Sequence, residues 1–193
     1  YHNSDIIYLE LESLIVVENR SSYHHISEQL LYTKSIEDNW KLLINSIKEL
    51  IGYDRVMIYQ FLEDNSGVVV AENVDEGLDS YLGLRFPEFD IPEQVRLLYI
   101  KKKSRMVADI DDLRIKMISR EDKVVDLAYT SIRAFSVSHI EYLRNAKAFG
   151  SFSVSIVIND RLWGLVACQN STPKYIPNQV RLQSELLTRL ARL

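Results

Sequence analysis

Residues 151–168, SFSVSIVINDRLWGLVAC, decide how the rest of the chain is read. From Ser151 to Ile158 the residue types alternate strictly: Phe152, Val154, Ile156 and Ile158 on one face, Ser151, Ser153 and Ser155 with Val157 on the other. Period-two alternation marks a strand between two environments, one apolar and one small and polar. Asn159-Asp160 supplies turn chemistry and Leu162 to Cys168 the partner strand, so the stretch predicts a β-hairpin. An ideal two-residue turn would set Gln169 on the face opposite the serines; a bulge or a different register would bring it to them. Working outward, Arg55 to Phe61 alternates, EDNSG (63–67) is a turn and Val68 to Glu72 returns, which predicts a second hairpin. Before it, Trp40, Leu43, Ile44, Ile47, Leu50 and Ile51 recur at helical spacing after Ser35, with Gly52 at the capping position. Residues 136–147 read as a helix, and Pro177-Asn178 opens a last one with Val180, Gln183, Leu186, Leu187 and Leu190 on one stripe. At the start, Ile6 to Glu12 reads as a strand continued by Leu14 to Val17, and 107–132 as a long irregular connection of the kind that often carries function. The expected fold class is α+β, an antiparallel sheet flanked by helices.

With 193 residues, 47% of them apolar, the chain can bury a core as one main domain, with a fragment of a second. A net charge of -4 gives no general nucleic-acid or anionic-membrane face. The lone cysteine, Cys168, forms no internal disulfide and fits a reducing, cytoplasmic setting. No apolar run reaches the roughly 18 residues of a membrane span, and the opening residues lack the order of a secretory signal. The chain starts as though cut from something larger.

No phosphate loop, HExxH, CxxC or GxSxG is present. His139 taken alone is a partly buried polar residue or a ligand-facing one. Arg105, after Lys101, Lys102 and Lys103, reads as a solvated helix terminus. Arg133 is a surface residue or an anion clamp, since a guanidinium donates to carboxylates in a fixed fork. The serines at 151, 153 and 155 are a solvent face or a pocket wall, and Cys168 a buried small hydrophobe. In FPEFDIPEQVRLLYIKKKSRM (86–106), Asp90 precedes Pro92 and a helical run, where a carboxylate can cap free amides.

GYDRVMIYQF (52–61), GVVVAE (67–72), YLGLRFPEFDIPEQVRLLY (81–99), SIRAFSVSHIEYLRN (131–145), SFSVSIV (151–157) and DRLWGLVAC (160–168) occur in the order of a known family's blocks. Nearly end to end, the chain resembles the chromophore-binding GAF domain of phytochromes, most closely bacteriophytochromes. The resemblance implies that residues 1–20 are the end of a PAS domain, 21–175 the GAF domain, and 176–193 the start of a connecting signalling helix. It implies a linear tetrapyrrole, biliverdin, bound non-covalently in this segment. Asp90 matches the aspartate whose main-chain carbonyl meets the pyrrole nitrogens, with Ile91 beside it, and His139 matches the pocket histidine. Arg105 and Arg133 match the propionate-binding arginines. Ser136, Ser151 and Ser153 match small polar contacts, and Tyr59, Phe86 and Tyr142 the aromatic cage of the isomerising ring.

Four positions depart from the family pattern: Phe89 where serine is usual, Val137 where proline is usual, Ser138 where plant-type relatives carry the attachment cysteine, and Gln169 in place of a second pocket histidine. The expected function is a red/far-red photoreceptor module, itself not an enzyme. It would pair as a homodimer through helices and relay to a PHY and histidine kinase type of output, with no nucleic-acid or membrane partner. The alternatives are a degenerate GAF module that serves dimerisation without bilin, or one that senses another small molecule such as a cyclic nucleotide.

Overall fold

A computed structural model of the chain describes residues 2–3, 6–7, 9–12, 20–112, 118, 126–131 and 133–191. Among the described residues the N-terminal strand is shorter than its composition suggested: β1 (His2–Asn3) and β2 (Ile6–Ile7) pair with each other, and residues 9–12 are not in a strand. Leu9 and Leu11 are exposed, and the continuation expected at 14–17 lies outside the described residues. Glu12 accepts from the Tyr175 hydroxyl (2.7 Å) and from Arg181, and Glu10 accepts from the Ser131 amide, so residues 9–12 are tied to the main body by polar contacts.

Helix α1 (Arg20–Tyr32) was not expected from periodicity; Ile26 and Leu30 are buried on it, among its described side chains. Helix α2 (Ile36–Ile51) forms as expected. Ser35 accepts from the Asp38 amide (3.1 Å), Gly52 is left-handed (φ 62°) and donates to Lys48, and Leu43, Ile44, Ile47 and Ile51 are buried. Strands β3 (Arg55–Phe61) and β4 (Gly67–Val74) make the first hairpin; its turn is held by the Asp64 carboxylate accepting from the Ser66 amide and hydroxyl. After β5 (Arg85–Phe86), a 3₁₀ turn at Glu88–Asp90 leads into α3 (Glu93–Lys101). Pro92 takes the N-cap position with no side-chain cap bond, so Asp90 does not cap the helix. The helix stops at Lys101, and Arg105 lies in β6 (Ser104–Val107), not at a solvated helix end. Four residues are too few to show alternation, which is why this strand was illegible.

Helix α4 (Val137–Asn145), β7 (Gly150–Ile158), β8 (Arg161–Asn170) and α5 (Asn178–Leu190) complete the chain. Asn159 and Asp160 both have positive φ (48° and 61°), as a two-residue hairpin turn demands. Much of the expected irregular connection (113–117, 119–125 and 132) lies outside the described residues.

The six strands form one antiparallel sheet in the order β5-β4-β3-β8-β7-β6. One face is closed by α1, α2 and α5 over Val56, Ile58, Phe152, Val154, Ile156, Val166 and Cys168, which is the main core. The α+β expectation holds. The stripe read on α5 holds in part: Val180 and Leu187 are buried together with Ser184 and Thr188, while Leu186 and, off the stripe, Leu182 are exposed. Small Ser184 and Thr188 return their hydroxyls to main-chain carbonyls one turn back (2.9 and 2.8 Å), so they pack closely despite being polar. Glu185 accepts from the Ser104 hydroxyl (2.5 Å), linking α5 to β6.

Candidate functional site

Residues opposite one another in a ladder share a face. The other side of the sheet therefore carries Arg105 and Val107 of β6, Ser151, Ser153 and Ser155 of β7, Leu165, Ala167 and Gln169 of β8, and Arg55, Met57 and Tyr59 of β3. Gln169 is there because of a bulge. Next to the turn, Ile158 pairs Arg161 and Val157 pairs Leu162, which continued would set Cys168 opposite Ser151. The register shifts between Ile156 and Val157, so that Ile156 pairs Gly164 and Ser151 pairs Gln169. Each β8 side chain beyond the bulge thereby changes face.

The serine face is not a solvent face, because α3 lies over it. The Tyr99 hydroxyl is 3.0 Å from that of Ser153, and Ser155 donates to the Tyr99 carbonyl (2.7 Å). Tyr99 and Ile91 pack with Met57, Tyr59, Val69 and Leu165 in a second apolar cluster.

One end of this region is cationic. Arg105 is buried, donates to the main-chain carbonyls of Arg133 and Ala134, and lies 4.0 Å over the Phe135 ring. Phe135 in turn stacks on His139 (5.4 Å between centroids). Nε and Nη1 of Arg105 and Nη1 of Arg133 are buried with no hydrogen-bond partner among the described residues. Burial first, then the neighbouring Arg133, lowers Arg105 to about 10, and burial lowers Arg133 also. Both stay cationic at neutral pH. Buried donors are nearly always satisfied, so unfilled guanidinium positions at one place point to an absent acceptor.

The other end is aromatic. Tyr59 packs on Phe86 (5.9 Å) and Phe61 (5.3 Å), Phe86 on Tyr81 (6.2 Å), and Tyr142 lies 6.1 Å from His139. Burial, with a contribution from Asp90, pushes Tyr59 up to about 12. Burial, with Tyr81 and Asp90, does the same to Tyr142, against which the buried Gln169 side chain acts in the opposite direction. Burial also raises the Asp90 carboxyl, which has no side-chain hydrogen bond among the described residues. Ser136 stands apart: it is exposed at the N-cap of α4, its hydroxyl accepting from the His139 amide (3.2 Å) and 3.2 Å from that of Ser138. Phe89 is 78% exposed and Val137 is exposed, so neither departure is packed against this face of the sheet. Cys168 is buried on the helix-covered face.

Residues that sequence reasoning passed over include Tyr99, Phe135 and Arg55. Arg55 lies 3.5 Å over Tyr81 and 3.5 Å from the buried Glu72 carboxylate, which also accepts from Ser80 (2.5 Å) and the Tyr81 amide. The signal was present for Arg55, since two-residue alternation puts it on the face of Met57 and Tyr59.

His139 carries a pH dependence. Burial, then the Arg105 cation, lowers it to about 4 from the ordinary 6.5. Between those values the unfolded chain binds a proton that the folded chain does not, so stability falls as pH falls from about 6.5 towards 4. Without pigment, His139→Gln is expected to lose that component. Denaturant titrations from pH 7 to pH 4 should show the parent losing more stability than the variant; parallel curves would contradict the buried neutral imidazole.

Among the described residues no helix is long and apolar enough to cross a membrane, and no cluster of metal-ligating side chains occurs. The GAF domain family model matches residues 35–193. A bacteriophytochrome of Pseudomonas aeruginosa is 40% identical over 160 residues, covering 79% of this chain and 22% of that protein. Cyanobacterial phytochrome B of Nostoc sp. is 34% identical over 197 residues, covering 97% of this chain and 26% of that protein. The chain thus spans about a quarter of the length of these relatives. The chromophore-binding domain of an unusual bacteriophytochrome from R. palustris superposes with a TM-score of 0.82 at 32% identity, covering 88% of this chain and 57% of that one. By family model, sequence and backbone together, the chain belongs to the GAF domain family and, within it, to the phytochrome group.

Proposed function

We propose that this chain is the pigment-holding module of a red/far-red photoreceptor and binds biliverdin without a covalent bond in this segment. The observation that carries the reading is the buried Arg105 guanidinium beside the half-buried Arg133, with three buried, unfilled nitrogens between them next to a mostly apolar, aromatic-lined region. A linear tetrapyrrole has carboxylates for such forks and a flat apolar body for such walls. When bound it would supply the visible absorption and the isomerising double bond.

In this reading Arg105 and Arg133 hold the carboxylates, with Ser151 and Ser153 nearby on the same sheet face. His139, neutral at physiological pH, offers a ring nitrogen without adding a charge to the two cations. The Asp90 main chain accepts from the pyrroles, with Ile91 against the apolar cluster. Tyr59, Phe86 and Tyr142 enclose the outer ring, and Gln169 supplies an amide where relatives of the family pattern have a histidine. Cys168 is unsuited to attachment, being on the opposite face of the sheet, and burial pushes its thiol up, away from the reactive thiolate. Residues 1–20 as a PAS remnant, a helix-mediated homodimer and a kinase-type output belong to the same proposal; α5 is the element through which a change at β6 would leave the domain.

The test is to load the full-length protein with biliverdin and record absorption under alternating red and far-red light. A red-absorbing band that photoconverts is expected. A band that does not photoconvert would reduce the function to pigment binding, with Gln169 as the first suspect. No band would overturn the proposal in favour of a pigment-free GAF module or one for another small molecule.

A further inference from the structure

The segment bearing Asp90 is held in place by a residue outside it. Asp90 makes no side-chain hydrogen bond among the described residues, and its turn is closed only by the Asp90 amide to Pro87 (3.2 Å) and the Ile91 amide to Glu88 (3.1 Å). A single 3₁₀ turn closed by two main-chain bonds is a weak fixture. Arg96, one turn into α3, supplies the rest. Its Nε donates to the Ile91 carbonyl (2.8 Å), and its guanidinium is 3.7 Å from the Glu88 carboxylate. Its two terminal nitrogens reach across to the β3–β4 turn, Nη1 to the Asn65 side-chain oxygen (3.0 Å) and Nη2 to the Asn65 carbonyl (2.8 Å). The guanidinium also lies 4.8 Å over the Phe61 ring, and the side chain is nearly buried. Asn65 is left-handed (φ 65°), a conformation asparagine tolerates, which turns its carbonyl and side chain towards Arg96.

We infer that Arg96 is the positioning residue for Asp90: its planar fork bridges the residues on either side of Asp90 to the rigid β3–β4 hairpin, and thereby sets where the Asp90 carbonyl stands. The geometry needs a guanidinium. An ammonium is a point donor and cannot serve Ile91 and both Asn65 oxygens from one plane. The role of Asp90 itself rests on the biliverdin reading above; the clamp does not.

The experiment uses the full-length protein, with and without biliverdin, as parent, Arg96→Gln, Arg96→Lys and Asn65→Gly. Asn65→Gly keeps the left-handed turn and removes only one acceptor. Without pigment, amide exchange at Asp90 and Ile91 is expected to rise about tenfold in Arg96→Gln and Arg96→Lys and less in Asn65→Gly, with β7 amides unchanged. With pigment, the red band should bleach at about one pH unit lower in the Arg96 variants, at unchanged pigment stoichiometry, because a displaced carbonyl stabilises the protonated pyrroles less. A role confined to overall stability would move exchange in β7 together with the turn. Unchanged exchange at Asp90 and Ile91, or full rescue by Arg96→Lys, would overturn the clamp. Failure of the parent to take up biliverdin would instead overturn the pigment reading, and the exchange measurement would still decide the clamp.

Discussion

Replacing Arg105 by methionine is expected to weaken biliverdin retention about a hundredfold while leaving the pigment-free chain as stable as the parent or about 1 kcal/mol more stable. The two effects have opposite sign because the guanidinium is buried with Nε and Nη1 unfilled. In the pigment-free chain it incurs desolvation, visible in its lowered pKa, and recovers only part of it from the Arg133 and Ala134 carbonyls and the Phe135 ring. Methionine fills similar volume and keeps the contact with Phe135. A carboxylate bound to that fork gains charge-assisted bonds of about 1.5 to 3 kcal/mol each, which the variant cannot make. Retention after gel filtration and denaturant midpoints without pigment separate the two terms. Unchanged retention would remove Arg105 from the carboxylate site, and a pigment-free variant that unfolds would make Arg105 a structural residue. Arg133→Ala should weaken retention in the same direction, and less, because Arg133 is less deeply buried.

Gly164→Val is expected to destabilise the domain by about 3 kcal/mol, the upper range for forcing extra atoms into a packed site. Gly164 stands at the β8 bulge, paired with Ile156 on one side and Gln60 on the other. A Cβ there would run into the Tyr59 carbonyl oxygen and approach the Gln60 Cα to 3.3 Å. Both obstacles are main chain of a central strand, which cannot yield as a flexible side chain could. Relief requires β8 to move away from β3 or to lose the bulge, and losing it turns Gln169 from the face of the serines to the core face. A shift of the denaturant midpoint at unchanged slope is the measurement. A loss below about 0.5 kcal/mol would mean that β8 has another way to accommodate the residue.

The elements legible in the sequence are those with long, strong periodicity. Helix α2, both hairpins and α4 follow from alternation or from apolar residues at helical spacing, and local bonds hold their ends where Ser35, Gly52 and Ser136 stand. Elements of few residues, or with few buried ones, left no such signal. β6 has four residues. Helix α1 buries Ile26 and Leu30, while Leu31 and Tyr32 beside them are exposed. The stripe on α5 holds for Val180 and Leu187 and fails for the exposed Leu186, because apolar spacing gives no weight to serine and threonine. The close approach to α2 and β7 instead selects Ser184 and Thr188, leaving Leu182 and Leu186 outside.

For the site the division is similar. The ordered blocks fix the family, and with it the residues to examine, since a chain of 193 residues that reproduces those motifs in sequence has little freedom to fold otherwise. Alternation alone puts Ser151, Ser153 and Ser155 on one wall and Arg55 with Tyr59 on another. What sequence could not settle was every question that depends on register or on the approach of distant segments. The bulge places Gln169 opposite Ser151, α3 roofs the serine face through Tyr99, and the Arg133 main chain receives the buried Arg105, which brings the two cations together. The residues alone left Asp90 a possible helix cap; the fold puts Pro92 in that place and Arg96 against the turn. Local pattern records which face a residue can occupy. A one-residue shift in pairing, or a helix laid across a sheet, is selected by packing energy summed over the whole domain, and only the tertiary structure carries that sum.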